Sequence, residues 1–104
     1  MIHLMITYTL KPDAERELLP ALAEYLDSIR ANEPETLTYD VYQRSDDPLA
    51  YVHLMTFTDE GAEQHHQTSI ALQRFTELLY PHCSSEPVFT SVELVHSKTL
   101  PVEE

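Results

Sequence analysis

The sequence predicts one α+β domain with elements in the order β-α-β-β-α-β. Three observations carry this. Side chains alternate with period two over residues 2–10, 36–44, 51–57 and 88–96, the spacing of strands whose successive residues face opposite ways. Helical spacing of apolar residues fills the intervals before the second strand and before the fourth. Between the second and third strands stands only Ser45-Asp46-Asp47-Pro48, a turn that joins neighbours as an antiparallel hairpin. This order is the split βαβ, ferredoxin-like arrangement, a four-stranded antiparallel sheet with its helices on one face.

The first strand sets Ile2, Leu4, Ile6 and Tyr8 against His3, Met5, Thr7 and Thr9, and Lys11-Pro12-Asp13 ends it. From Asp13 to about Asn32, Leu18, Leu22, Tyr25, Leu26 and Ile29 form the apolar stripe of a helix lying on the sheet. Pro20 interrupts that pattern, which predicts either a bend or a short first turn ahead of the main helix. Glu33-Pro34-Glu35 closes it, and the second strand follows with Leu37, Tyr39 and Val41 on one face. In the third strand Tyr51, His53, Met55 and Phe57 face one way and Val52, Leu54 and Thr56 the other, so both faces are largely apolar and both are expected to be covered. Asp59 is placed to cap a short helix carrying His65 and His66; Thr68 or Ser69 is placed to cap a further helical piece with Ala71, Phe75, Leu78 and Leu79 as its stripe, stopped by Pro81. The domain is expected over 1–97, with 98–104 as a polar tail. Because two helices cover only one face of a sheet that is apolar on both, a homodimer closing sheet against sheet is expected.

At 104 residues the chain has material for one core. Eighteen acidic against 6 basic residues give a formal net charge of −12, which opposes nucleic acid and anionic membranes as partners and disfavours acidic ligands. A single glycine leaves no phosphate-cradling loop or dinucleotide fingerprint. With one cysteine, Cys83, no intrachain disulfide can form, and neither a signal peptide nor a bilayer-spanning run is present, so a cytoplasmic setting is expected.

The versatile groups are histidines and tyrosines. His53 lies on an apolar strand face, where an imidazole is either a satisfied core residue or a neutral base. His66 sits about two turns into the short helix, near enough to the sheet to touch a pocket. His65 and His66 diverge by about 100° on a helix and form no metal pair; Glu63 with His66 has no second copy, which excludes a di-metal site. His82-Cys83 offers too few ligands for a metal, and Tyr8, Tyr25, Tyr39 and Tyr51 suit either an aromatic pocket or an amphipathic seam.

The run Glu33-Pro-Glu-Thr-Leu-Thr-Tyr39-Asp-Val-Tyr42, followed by Phe57-Thr-Asp59-Glu-Gly-Ala62, His66 and Ser69, resembles the antibiotic biosynthesis monooxygenases, a family of dimeric α+β barrels, and the likeness spans about 2–96. It implies a homodimer with a pocket in each subunit between helices and sheet, and oxidation of a phenol or quinol by O2 with neither metal nor flavin. On that resemblance His53 or His66 removes the phenolic proton, and Tyr8, Tyr39, Phe57 and Phe75 wall the substrate. Three departures stand out. Glu35 replaces a glycine and Phe57 a tryptophan; Ile6 and Thr76 stand where the haem-degrading branch has Asn and His, which disfavours haem chemistry. A dimeric binding or accessory protein without turnover, and an isomerase or cyclase using the same base without O2, are the alternatives.

Overall fold

A computed structural model of the chain describes residues 1–99. Its elements are β1 (Ile2–Thr9), α1 (Glu15–Asn32), β2 (Thr36–Gln43), β3 (Ala50–Phe57), α2 (Glu60–Gln67), α3 (Ile70–Leu79) and β4 (Val88–Val92), with a 3-10 turn at Tyr80–His82. The strands form one antiparallel sheet in the order β2-β3-β1-β4. This is the ferredoxin-like α+β fold, with its second helical segment divided in two. The expected tail over 98–104 lies, from residue 100 on, outside the described residues.

Local chemistry sets the helix starts. Asp59 Oδ1 accepts from the Ala62 N–H at 2.9 Å, and Ser69 Oγ accepts from the Leu72 N–H at 3.1 Å, so each helix after β3 has its own cap. Asp13, expected to open α1, instead takes φ 69° in the turn before it, a left-handed conformation that aspartate tolerates better than most residues. Pro20 neither divides α1 nor delays it: one helix runs from Glu15 to Asn32.

Two strands differ from expectation for geometric reasons. The β2–β3 register shifts between Thr36 and Thr38, so Leu37 falls at an irregularity and is exposed instead of sharing the face of Tyr39 and Val41. β4 ends at Val92, short of the expected His96, because Val92 already pairs with His3 and β1 has almost no chain left beyond that point.

Register assigns the two faces. Ile2, Leu4, Ile6 and Tyr8 lie opposite Phe57, Met55, His53 and Tyr51, all on the helix side. There Leu18, Tyr25 and Ile29 of α1, Ala62 of α2, and Phe75 and Leu79 of α3 close the core over them. On the other face Leu54, Tyr42, Val88 and Val92 are exposed and Met5 and Val52 half-buried, so it is the uncovered apolar sheet face that the alternation implied.

Candidate functional site

His53 is central to β3, and its imidazole is 1% exposed. Both ring nitrogens are engaged: Nε2 lies 2.7 Å from the Tyr8 hydroxyl and Nδ1 2.8 Å from that of Tyr39. Burial pushes its pKa down to about 4, so the ring is neutral at ordinary pH. Desolvation likewise drives the Tyr8, Tyr25 and Tyr39 phenols up from their usual range. They remain protonated donors.

His66 reaches the core because the Asp59 cap fixes where α2 begins and the buried positions Ala62 and His66 follow at helical spacing. Nε2 stands 3.0 Å from the Tyr25 hydroxyl and Nδ1 2.8 Å from Glu33 Oε1, and Thr36 Oγ1 donates to that same oxygen at 2.8 Å. The Tyr25 and Tyr39 hydroxyls are 3.1 Å apart and join the two histidines into one hydrogen-bonded group. Tyr25 also stacks on Phe75 at 4.5 Å, and Phe57 lies 5.4 Å from the His66 ring, between ring centroids.

A cleft of about 430 Å³ opens between α3 and the β1–β4 side of the sheet. Leu4, Ile6, Met55, Leu72 and Phe89 supply apolar wall; Gln67, Thr68, Ser69, Gln73, Thr76 and Tyr80 supply neutral polar groups; His66 contributes the one imidazole. Among the described residues no Asp, Glu, Lys or Arg lines it. His53, Tyr8, Tyr39, Phe57 and Phe75 are not among its lining residues; they lie in the packing around the two imidazoles. Ile6 and Thr76, singled out above as departures, both line it. A second cleft of about 500 Å³ lies at the end of α1, with Asn32, Glu33, Glu35, Asp59 and His65 among its walls.

Sequence reasoning missed one member of this group and gave a second, Tyr25, no specific partner. Glu33 reads as a helix terminator beside Pro34, yet its side chain is buried against His66. Tyr25 reads as part of the apolar stripe of α1. The available signal was chemical: a tyrosine hydroxyl on a core stripe needs a partner, and so does an imidazole on a buried helix face. Among the described residues no group of three or more His, Cys, Asp or Glu side chains is arranged to hold a metal ion, and no helix is long and apolar enough to cross a membrane.

A split-βαβ sheet with an apolar cleft beneath its helices and a buried imidazole in the cleft wall defines a small-molecule-binding α+β domain. Residues 1–78 match the antibiotic biosynthesis monooxygenase family, and the chain belongs to it. Similar folds include a crystal structure of an antibiotic biosynthesis monooxygenase, at 24% identity over 91% of this chain and 99% of that one with a TM-score of 0.85. A conserved protein from Methanosarcina mazei Go1 superposes at 21% identity over 88% and 89%, TM-score 0.81, and Rv0793 from Mycobacterium tuberculosis at 16% over 93% and 97%, TM-score 0.82. At these identities the likeness is one of fold. No curated protein matches the chain.

Proposed function

We propose that the protein oxidises an aromatic phenol or quinol with O2 and without a cofactor, the substrate lying in the cleft under α3 and His66 acting as general base. The observation that carries this is the cleft itself: uncharged, largely apolar, and walled in part by an imidazole tied to a buried carboxylate. Its apolar wall suits a planar ring, and its neutral polar groups suit hydroxyls.

The energetics favour such an arrangement. A phenol with a pKa near 10 giving its proton to an imidazole near 6.5 is uphill by roughly 5 kcal/mol in water. Glu33, accepting from Nδ1–H, fixes Nε2 as the basic nitrogen and supplies a negative charge 2.8 Å from the ring when the proton arrives. The resulting phenolate gives an electron to O2 more readily than the phenol does. The Tyr25 hydroxyl donates to Tyr39 while its oxygen lies 3.0 Å from Nε2, so a substrate hydroxyl reaches that nitrogen when Tyr25 gives way. In this reading Tyr8 and Tyr39 orient His53, and Phe57 and Phe75 pack the imidazoles, so all five position the base without walling the substrate. The working unit is a homodimer closed through the open sheet faces, whose exposed Leu54, Tyr42, Val88 and Val92 would then be buried.

One observation favours a second reading, a binding protein without turnover: all four imidazole nitrogens of His53 and His66 already have partners within the fold. Oxygen consumption by metal-stripped protein against a panel of phenols and quinols decides between them. The oxygenase reading predicts uptake above the uncatalysed rate that falls about 10²–10⁴-fold in His66→Gln, the usual contribution of a general base. Ligands that raise the melting temperature without any uptake would instead establish the binding reading, and product formed under anaerobic conditions would establish an isomerase or cyclase.

A further inference from the structure

Phe89 stands where a core residue belongs, yet its ring is open. In the β1–β4 register it lies opposite Ile6, so its side chain rises from the helix side of the sheet. Its neighbours on that face are shut away: Ile6 is 9% exposed and Met55 2%. Phe89, on the edge strand, is 55% exposed. Between this strand and α3 lies the cleft of about 430 Å³, and Phe89 forms part of its wall.

The seam proposed between two copies does not account for the open ring. That seam takes the opposite face of β4, where Val88 and Val92 point. Leu94 and Val95, which follow β4, are themselves exposed and do not line the cleft. What Phe89 meets on its open side is the cavity.

The rest of the cavity wall is chemically sorted. The sheet adds Leu4, Ile6 and Met55 to the Phe89 ring, whereas α3 and the link before it present hydroxyls and amides. Two of those hydroxyls have already committed their protons. Thr68 Oγ1 donates to the Gln64 carbonyl and Thr76 Oγ1 to the Gln73 carbonyl, each at 3.0 Å, so toward a ligand both oxygens accept. An uncharged alcohol with a flat apolar body satisfies both walls. A saturated alcohol of the same size would fill the same space, but only an aromatic one brings a second π system to Phe89, and paired rings attract beyond the area they bury.

We propose that Phe89 is the residue by which the cleft distinguishes an aromatic ring from a saturated one, holding the ligand's ring against β4. The proposal rests on the reading of this cleft as the substrate site and deepens it, assigning ring recognition to a residue outside the hydrogen-bonded histidines. Phe89 sets specificity through binding; no bond forms or breaks on it.

The test measures binding without turnover. Under argon, the full chain is titrated calorimetrically with 2-naphthol and with decahydro-2-naphthol, which has the same skeleton and hydroxyl but no aromatic ring. Phe89→Leu keeps apolar bulk and removes the π face, so 2-naphthol should bind roughly three- to tenfold more weakly while decahydro-2-naphthol stays within about twofold. Phe89→Tyr keeps the ring and should keep the preference. With Phe89 half open on an edge strand, Phe89→Leu should melt with wild type when no ligand is present, which separates contact with the ligand from a packing role. The proposal is overturned if both ligands weaken equally in Phe89→Leu, if neither weakens, or if wild type binds neither or shows no preference for 2-naphthol. Oxygen uptake tells this failure from that of the oxygenase. No uptake by wild type with the Phe89 pattern intact would sink the oxygenase and leave ring recognition standing. Uptake that requires His66 but keeps the same KM in Phe89→Leu would do the reverse.

Discussion

At the scale of single residues, the buried His53 couples protonation to stability. The folded-state pKa of His53, about 4, lies below the ordinary 6.5, so the unfolded chain takes up this proton first as pH falls. The stabilisation is fully present above pH 6.5 and is lost between 6.5 and 4, in all about 3 kcal/mol. Denaturant titrations of wild type and His53→Gln at pH 7 and pH 4.5 should show wild type losing more stability than the variant; equal losses would mean that the ring is not held neutral. Tyr25→Phe keeps the stack on Phe75 but leaves His66 Nε2 and the Tyr39 hydroxyl short of a partner. It should cost about 1–3 kcal/mol in the same titration, and a change under 0.5 kcal/mol would mean that water replaces the hydroxyl. His53 and His66 could be picked from the sequence because imidazoles on apolar faces are conspicuous. Their partners could not: Glu33 is 33 positions from His66 and Tyr8 is 45 from His53, and only tertiary packing brings them together.

At the scale of elements, what could be read were the features with a local cause. Asp59 and Ser69 cap because their side chains accept from first-turn backbone N–H groups that have no preceding turn of helix to donate to. Asp59→Ala and Ser69→Ala should each lower unfolding free energy by about 1 kcal/mol. The two should differ at the site: α2 carries His66, so losing its cap should disturb the His66 resonances, whereas α3 carries cleft wall, so losing its cap should disturb ligand binding. Spectra of His66 altered equally by both variants would contradict that division. The features that could not be read have non-local causes. Leu37 obeys strand alternation but is displaced by the register that Phe57 and Thr56 impose on Thr36 and Thr38, and β4 stops where its partner strand runs out.

At the scale of the molecule, the alternation of β3 announced two apolar sheet faces, and among the described residues the helices cover one of them. Leu54 lies on the uncovered face, away from His53, His66 and the cleft. Placing a carboxylate there with Leu54→Glu should leave the protomer folded, yet in a homodimer it would set two like charges into the seam. Sedimentation should show a dimer for wild type and a monomer for the variant; a wild type that stays monomeric at high concentration would remove the dimer from the account. The cleft was anticipated as a pocket between helices and sheet, but its walls were not. Phe57 and Phe75 are buried in the core, while Leu72, Thr76 and Phe89 line the cleft.

The most direct test of the central claim, that oxygen chemistry takes place in the cleft under α3, is to fill that cleft. Oxygen uptake with the same phenol and quinol panel should be measured for wild type and for Thr76→Phe, which places a ring in the cavity without touching the hydrogen bonds of His66. The account predicts uptake by wild type and its loss in Thr76→Phe, with the melting temperature maintained. Uptake that persists undiminished in the filled variant, or no uptake by wild type with any compound of the panel, would contradict it.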